Sequence, residues 1–358
     1  MSTLLSAVDD ASALEDLHRL GCTDGLPVVI PTAERVERMV LASGYDGDVT
    51  LGDMGPNLGR CTLEKLAAAA VMAGCLPDYF PIVIAAAKAV LDPAFDLTEM
   101  QATTHSTSPL IVVNGPAALA CGVHSGFGAL GPGYRANASI GRAMRLAMIN
   151  IGGGRSGTSD MALLGHPGKF TACLAEAEDD SPFPPLHTTR GFRPDQSTVT
   201  VIGTDAVHSV IGVTNADDAT SSDRLITSLT IGLTNLATNN AALRGGQGVV
   251  ILNPDHAAAL HAAGHTRASI ASAICDRAAY SGDQLAATAA SMGRTRADHR
   301  YSCFDNPDDI LVLVAGGGGL YSAVAPTWCA GPNKSRAVTV EIEMNQACEI
   351  PSLPAAVM

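Results

Sequence analysis

The sequence predicts an α/β fold with largely parallel sheets, helices on both faces of the sheets, and two lobes. In the second half of the chain, short apolar runs alternate with helical segments, which is the pattern of parallel strands joined by right-handed crossovers. Apolar residues make up 47% and charged residues 16% of the 358 residues, so a large core is available. A proline-rich segment over 179–194 separates the halves and predicts an N-terminal lobe over 1–195 and a C-terminal lobe over 196–358.

Local signals place the elements of the first half. Helices are predicted over 11–20, 33–42, 63–73, 82–91 and 140–151. Thr32 and Thr62 can cap the second and third of these helices, and Pro81 suits the first turn of the fourth. Strands are predicted over 26–30 and 110–114, because the latter is a continuous apolar run that ends at Gly115.

The second half reads as strand, helix, strand, helix, helix, strand. Strands are predicted over 197–203, 248–253 and 309–314, and helices over 223–235, 255–263 and 268–280. The last strand runs directly into the four glycines of 316–319. Ligands of open α/β sheets bind at the carboxyl ends of the strands, so this loop is a candidate wall of a site.

Charge and cysteine content exclude several classes of protein. A net charge of −13 argues against nucleic acid and anionic membranes as partners. No apolar run is long enough for a membrane span, and residues 1–10 lack the features of a signal peptide, so a cytoplasmic location is expected. Nine cysteines without a CxxC pair indicate neither a disulfide framework nor a zinc knuckle. The thin surface charge predicts a homo-oligomer, most simply a dimer.

The stretch 131–146 is the strongest candidate for a binding site. It reads as a glycine-broken loop that runs into a helix, with Arg135, Asn137 and Arg142 near the junction. Helix N-termini attract anions, so these side chains are predicted to hold a carboxylate or phosphate. The alternative is a glycine turn into a core helix whose arginines pair with acidic neighbours. The glycine spacing does not match a dinucleotide fingerprint.

The tetraglycine is the candidate second wall of this pocket. Gly318, Gly319 and Ser322 would then face the ligand, although a flexible turn explains the glycines equally well. No Gly-Lys-Ser/Thr ending is present, so a nucleotide-triphosphate loop is unsupported. No cofactor and no metal is expected, because the histidines are scattered without convergent ligands.

Cys75 and His105 are the candidate catalytic pair. Together they would form a nucleophile and its base, with Asp24 or Glu176 orienting them. Cys75 follows a predicted helix C-terminus, where the helix dipole raises the pKa of a thiol, so a structural role for each residue is the alternative.

Three further polar residues are candidates for substrate binding. Lys169 lies in a His-Pro-Gly-Lys loop, and His187 and Arg190 lie in a polar island of the proline-rich segment. A surface loop explains each of them nearly as well.

Motifs along most of the chain resemble those of a widespread family of bacterial proteins without a defined activity. They are Thr-Asp-Gly-Leu-Pro-Val-Val from residue 23, Val-Met-Ala-Gly-Cys from residue 71, and Gly-Pro-Gly-x-Arg-Ala-Asn-x-x-Ile-Gly-Arg-Ala from residue 131. That family is similar to proteins with a UGSC motif, which resemble the selenoprotein B subunits of glycine-type reductases. The resemblance implies thiol or selenol chemistry on a small amino or carboxylic acid.

This chain departs from the family pattern in two ways. It contains no UGSC motif, and Leu320-Tyr321-Ser322 follows the glycines where the family usually has Lys-His-Ser. The favoured hypothesis is therefore an enzyme that acts on a small carboxylate-bearing metabolite by cysteine and histidine chemistry. The alternatives are a cofactor-free lyase or hydrolase that uses His105 and Asp24, and a non-catalytic binding subunit that needs a second protein.

Overall fold

The fold is a four-layer sandwich in which two four-stranded sheets pack against each other between outer layers of helices. The computed structural model describes residues 4–288, 291, 293–294 and 296–344. Within these ranges, no helix has both the length and the apolar character needed to cross a membrane.

The first half of the chain supplies most of one helical layer, two strands of a main sheet and both strands of a separate hairpin. Its elements are α1 (Asp10–Arg19), α2 (Ala33–Ser43), β1 (Thr50–Met54), β2 (Gly59–Thr62), α3 (Leu63–Ala73), α4 (Phe80–Leu91), α5 (Leu97–Ala102), β3 (Ser108–Asn114), α6 (Pro116–Ala120), α7 (Arg135–Asn150) and β4 (Cys173–Ala175). Thr32 and Thr62 accept hydrogen bonds at the starts of α2 and α3, which confirms the predicted caps.

The second half supplies the remaining strands and the other helical layer. Its elements are β5 (Thr198–Thr204), β6 (His208–Ile211), α8 (Ser221–Leu233), α9 (Asn239–Ala242), β7 (Gly248–Leu252), α10 (Pro254–Ala262), α11 (Arg267–Arg277), β8 (Ala279–Ser281), α12 (Gly282–Ala286), β9 (Arg300–Ser302), β10 (Ile310–Val314), β11 (Tyr321–Pro326) and β12 (Val338–Glu341).

Both main sheets are mixed. Sheet A has the strand order β12-β5-β3-β4, and sheet B has the order β10-β7-β11-β6. In each sheet one edge pair is parallel (β3 with β4, β7 with β10) and the other two pairs are antiparallel. The prediction of largely parallel sheets is therefore wrong. The strands that make the sheets antiparallel include β6, β11 and β12, which the sequence did not reveal.

The hydrophobic cores show how the four layers pack together. Alternate residues of β3 face opposite ways: Leu110 and Val112 pack against Val249 and Ile251 of sheet B. Ile111 and Val113 instead pack against the helices α3, α4 and α7. The outer face of sheet B is covered by α8, α10 and α11. Helices thus cover one face of each sheet, whereas the prediction put them on both faces.

Two local details also differ from the sequence prediction. Residues 26–30 do not form a strand, and the segment 44–59 contains most of the β1–β2 hairpin instead of a plain connector. Sheet A takes β3 and β4 from before residue 195 and β5 and β12 from after it, so both halves of the chain build this sheet.

Candidate functional site

A cavity of about 750 Å³ opens between the N-terminal segment, α7 and the loop over 154–170. Charged and titratable side chains line it, namely Asp24, Arg145, Arg155, Asp160, His166 and Lys169. Such a concentration of convergent polar groups in a concave site is the usual mark of a binding or catalytic centre.

Close packing of α7 brings Arg145 into this cavity. Gly141 faces the segment before β4, and a Cβ atom there would lie 2.3 Å from Thr171 Oγ1 and 2.8 Å from the Ala172 nitrogen. Only glycine permits this approach. One turn later, the Nε of Arg145 donates to the carbonyl oxygen of Lys169, which fixes the helix against the loop.

Asp160 is shared by two largely buried cations. Its carboxylate lies 3.3 Å from Arg145 Nη1 and 2.9 Å from Lys169 Nζ. The side chain of Arg145 is 8% exposed and that of Asp160 is 5% exposed. A buried charge without a partner is costly, and here one negative charge serves two positive ones. Asp160 therefore neutralises only one of the two positive charges, and an anionic ligand would balance the other.

The environment of Lys169 lowers the pKa of its side chain. Burial lowers the pKa of its ammonium, the Arg145 charge lowers it further, and Asp160 opposes both; the net shift is downward. Nζ also donates to the carbonyl oxygen of Thr107 at 3.3 Å. An ammonium group has three N–H donors, so one remains for a ligand.

His166 presents a neutral imidazole on the cavity wall. The backbone N–H of Gly168 donates to its Nδ1 at 3.2 Å, which places the ring proton on Nε2. Nε2 lies 3.4 Å from Ser108 Oγ. Burial lowers the pKa of His166, so the ring is uncharged at neutral pH.

Arg155 bridges the cavity at the N-terminal segment. Its Nη1 donates to the carbonyl oxygen of Gly21 at 2.6 Å. Gly21 has φ +67°, and a Cβ there would lie 2.2 Å from the same guanidinium nitrogen. The close bridge therefore depends on glycine at this position.

Two of the residues predicted as site residues line this cavity, and a third, Arg142, pairs with one of them. Arg142 donates from Nε and Nη2 to the carboxylate of Asp24, at 2.7 and 2.8 Å. Burial alone would raise the pKa of Asp24, but the hydrogen bonds and charge of Arg142 outweigh it and the pKa is lowered. Asp24 and Lys169 line the cavity, whereas Arg142 is engaged in the ion pair behind Asp24.

The other two predicted anion ligands are engaged by backbone groups. Arg135 donates from Nε and Nη2 to the carbonyl oxygen of Gly74, at the end of α3. Asn137 is 3% exposed and bonds both the N–H and the carbonyl of His124, and also the carbonyl of Ala129. Arg135 thus ties the start of α7 to the end of α3, and Asn137 ties it to the segment over 124–129.

Cys75 and His105 have different surroundings and do not contact each other. Cys75 packs in the core between α3, α7 and β4, where burial raises the pKa of its thiol to about 12. His105 lies 2.7 Å from Asp205 Oδ1 through Nε2, and its Nδ1 accepts from Asn239 Nδ2 at 2.9 Å. The structure does not bring the predicted nucleophile and base together.

Glu176 links the two sheets. It pairs with Arg267 and accepts from Asn114 Nδ2 at 2.6 Å and from the Leu186 nitrogen at 2.7 Å. Its side chain is fully buried. Because Asn114 ends β3 and Val314 ends β10 beside it, Glu176 ties sheet A to sheet B.

The remaining predicted ligands also have partners within the fold. His187 is fully buried and bonds the carbonyl oxygen of Arg193 through Nε2 at 3.0 Å. Arg190 donates to Thr339 and to the carbonyl of Ala337.

The tetraglycine follows β10 as predicted and lies beside Asn253 at the end of β7. Asn253 donates to the carbonyl oxygen of Gly319 at 3.0 Å, and Gly318 lies against the carboxylate of Asp255. Ser322 is 4% exposed and its Oγ is 2.7 Å from His256 Nδ1, so it faces the helical layer. Gly316, Gly317 and Ser322 line a separate cleft of about 200 Å³, whereas Gly318 and Gly319 do not.

Arg145, Asp160 and His166 were not anticipated from the sequence. Arg145 follows Arg142 by three residues and so shares its side of α7, which is the one signal that could have found it. Asp160 and His166 lie in a loop without periodicity. In the described part of the chain, no three His, Cys, Asp or Glu side chains converge as metal ligands, and the eight cysteines there are free thiols.

No protein-family model, curated protein or solved structure matches this chain. The resemblance to the bacterial family therefore stays a prediction, and the function is argued from the cavity.

Proposed function

We propose that this protein is an enzyme that binds a small carboxylate-bearing metabolite in the cavity lined by Arg145 and Lys169. The observation that carries the proposal is the sharing of Asp160 by these two largely buried cations. With Arg142 paired to Asp24 and the Arg155 guanidinium bonded, among the described residues, only to a backbone carbonyl, four cations face two carboxylates at this site. A bound carboxylate would supply the missing negative charge and accept charge-assisted hydrogen bonds.

Acid–base chemistry is better supported at this cavity than thiol chemistry. Lys169 and His166 line the cavity: burial lowers the pKa of Lys169, which makes its neutral amine easier to form, and burial lowers the pKa of His166, which keeps its imidazole free to accept a proton. Cys75 does not line it. A lyase or hydrolase that uses lysine, histidine and aspartate is therefore preferred to a thiol-dependent reductase.

Calorimetric titration of the purified protein with pyruvate, succinate and inorganic phosphate tests the binding site. We expect Arg145→Gln to weaken carboxylate binding by roughly tenfold or more, since a charged hydrogen bond contributes about 1.5–3 kcal/mol. Arg193→Gln is the matched control, because Arg193 is an exposed arginine paired with Asp195. Equal affinity in the wild type and Arg145→Gln would overturn the proposal.

Assembly with a second copy of the chain is a second proposal, favoured by exposed apolar side chains at the cavity loop. Leu163 is 83% exposed and Leu164 is 94% exposed, and apolar patches of this kind mark interfaces. Leu164→Ser is expected to lower the sedimentation coefficient at a given concentration. Leu119→Ser is the control, since Leu119 is 88% exposed on α6.

A cytoplasmic site of action is also proposed, because it fits the free thiols of the described residues.

A further inference from the structure

We infer that Lys169 is a nucleophilic amine that forms an imine with its substrate, which makes the substrate class a 2-oxo acid. This inference rests on the proposed function, because it assigns the carboxylate to Arg145 and the neighbouring carbonyl carbon to Lys169. The two cations reach the same carboxylate of Asp160, at 3.3 and 2.9 Å. A small ligand can therefore meet both of them at once.

The choice of lysine at this position supports the inference. Only four of the 22 Lys and Arg residues are lysines: Lys65, Lys88, Lys169 and Lys334. Arginine is the better residue for a fixed cationic contact with a carboxylate, since it stays charged and binds in a bidentate manner. Lysine can lose its proton and act as a nucleophile. The cavity thus contains Arg145, which stays charged, and Lys169, which can become neutral.

The surroundings of Lys169 provide the two conditions that an imine-forming lysine needs. A proton acceptor, Asp160, lies 2.9 Å from Nζ. Burial disfavours the charged ammonium, and a second cation, Arg145, which contacts the same aspartate, adds to this effect. The side chain of Lys169 is 16% exposed on the cavity wall, so a small ligand can approach Nζ.

Arg145 has capacity left for the substrate carboxylate. Its Nε donates to the Lys169 carbonyl and its Nη1 to Asp160. Its Nη2 makes no hydrogen bond to any residue that the structure describes, and the guanidinium lines the cavity. That nitrogen is placed to hold one end of an acid whose other end reaches Nζ.

The step balances without a cofactor. Asp160 takes a proton from the Lys169 ammonium, and the free amine attacks the carbonyl carbon, forming the C–N bond while the carbonyl π electrons move to oxygen. A proton passes from nitrogen to that oxygen to give the carbinolamine. Protonated Asp160 then returns its proton to the hydroxyl group, the C–O bond breaks, water leaves and the nitrogen lone pair completes the protonated imine. The net change is the loss of one water, with no oxidation or reduction.

Reductive trapping tests the inference. The full-length protein is incubated with glyoxylate, pyruvate or 2-oxoglutarate and sodium cyanoborohydride, and intact mass and peptide mapping follow. We expect at least one acid to add its mass less one oxygen atom, on Lys169 alone. Lys169→Arg keeps the positive charge and should lose the adduct, whereas Lys65→Arg, at a half-buried lysine bonded to the Arg60 carbonyl, should keep it.

Calorimetric titration with the same three acids separates the two proposals. Binding together with trapping at Lys169 supports both of them. Binding that depends on Arg145 without any adduct on Lys169 overturns the imine and leaves the carboxylate site standing. An adduct spread over several lysines also overturns the imine inference. If none of the acids binds, both proposals fail.

Discussion

The carboxylate of Asp24 receives two hydrogen bonds from the guanidinium of Arg142, which lies 118 residues further along the chain. Arg142 also donates to the carbonyl oxygens of Leu26 and Pro27. The segment over 21–27 has no regular secondary structure, so this pair fastens it to α7 and sets one wall of the cavity.

Asp24→Asn is expected to destabilise the protein by roughly 3 kcal/mol, because it leaves Arg142 without its partner in a largely desolvated site. Urea unfolding at pH 7 measures the change in the free energy of unfolding. Asp16→Asn serves as the control, since the pair of Asp16 with Arg19 is exposed and contributes little. A loss no larger than that of the control would contradict a structural role for Asp24.

Acidification should remove the contribution of Asp24. Its pKa is lowered in the folded protein from an ordinary value of 3.8, so the stabilisation is complete above that value and is lost as the pH falls through the folded pKa. The wild type should therefore lose more unfolding free energy between pH 5 and pH 3 than Asp24→Asn does. Parallel pH curves for the two proteins would refute the assignment.

Local signals made the helices predictable, and non-local pairing hid several strands. Thr32 and Thr62 predict the starts of α2 and α3, because capping depends on only three or four neighbouring residues. β11 and β12 are four to six residues long and lack clear alternation. Their place in a sheet is decided by partners more than a hundred residues away, such as β6 and β5.

The candidate site could likewise be predicted only in part, because its contacts join distant parts of the chain. Asp24 and Lys169 could be selected as polar residues in turns, but the sequence does not say which cation each one meets. Asp160 is brought to Arg145 and Lys169 by an irregular loop that hydrophobic periodicity does not describe. Cys75, the predicted nucleophile, was also selected from its position in the sequence alone. It lies in the core, because α7 and β4 cover it.

Cys75 is expected to be inert to iodoacetamide in the folded protein. Alkylation requires an accessible thiolate, whereas Cys75 is 7% exposed and burial raises its thiol pKa to about 12. Peptide mapping after timed alkylation at pH 8 should show Cys22, which is partly exposed, reacting first. Cys75→Ala should also keep pyruvate affinity. Rapid labelling of Cys75 would restore the thiol mechanism.

Glu176→Gln should cost roughly 3–5 kcal/mol of unfolding free energy, because it strands the buried guanidinium of Arg267 between the two sheets. Asp223→Asn is the comparison, since its pair with Arg277 lies at the surface. The double variant Glu176→Gln/Arg267→Met should recover part of the loss, as no unpaired charge remains. A double variant less stable than either single one would show that the carboxylate acts mainly through Asn114 and Leu186.

Gly141→Ala tests whether the close packing of α7 builds the cavity. Alanine normally stabilises a helix interior by up to about 1 kcal/mol relative to glycine, but a Cβ here would lie 2.8 Å from the backbone nitrogen of Ala172. Overpacking of this kind costs about 1–3 kcal/mol, so we expect a net loss of stability in urea unfolding. Displacement of α7 should also move Arg145 away from Asp160 and the ligand, and calorimetry should show weaker binding of pyruvate. A variant that is more stable than the wild type and binds pyruvate equally well would show that the helix can shift without disturbing the site.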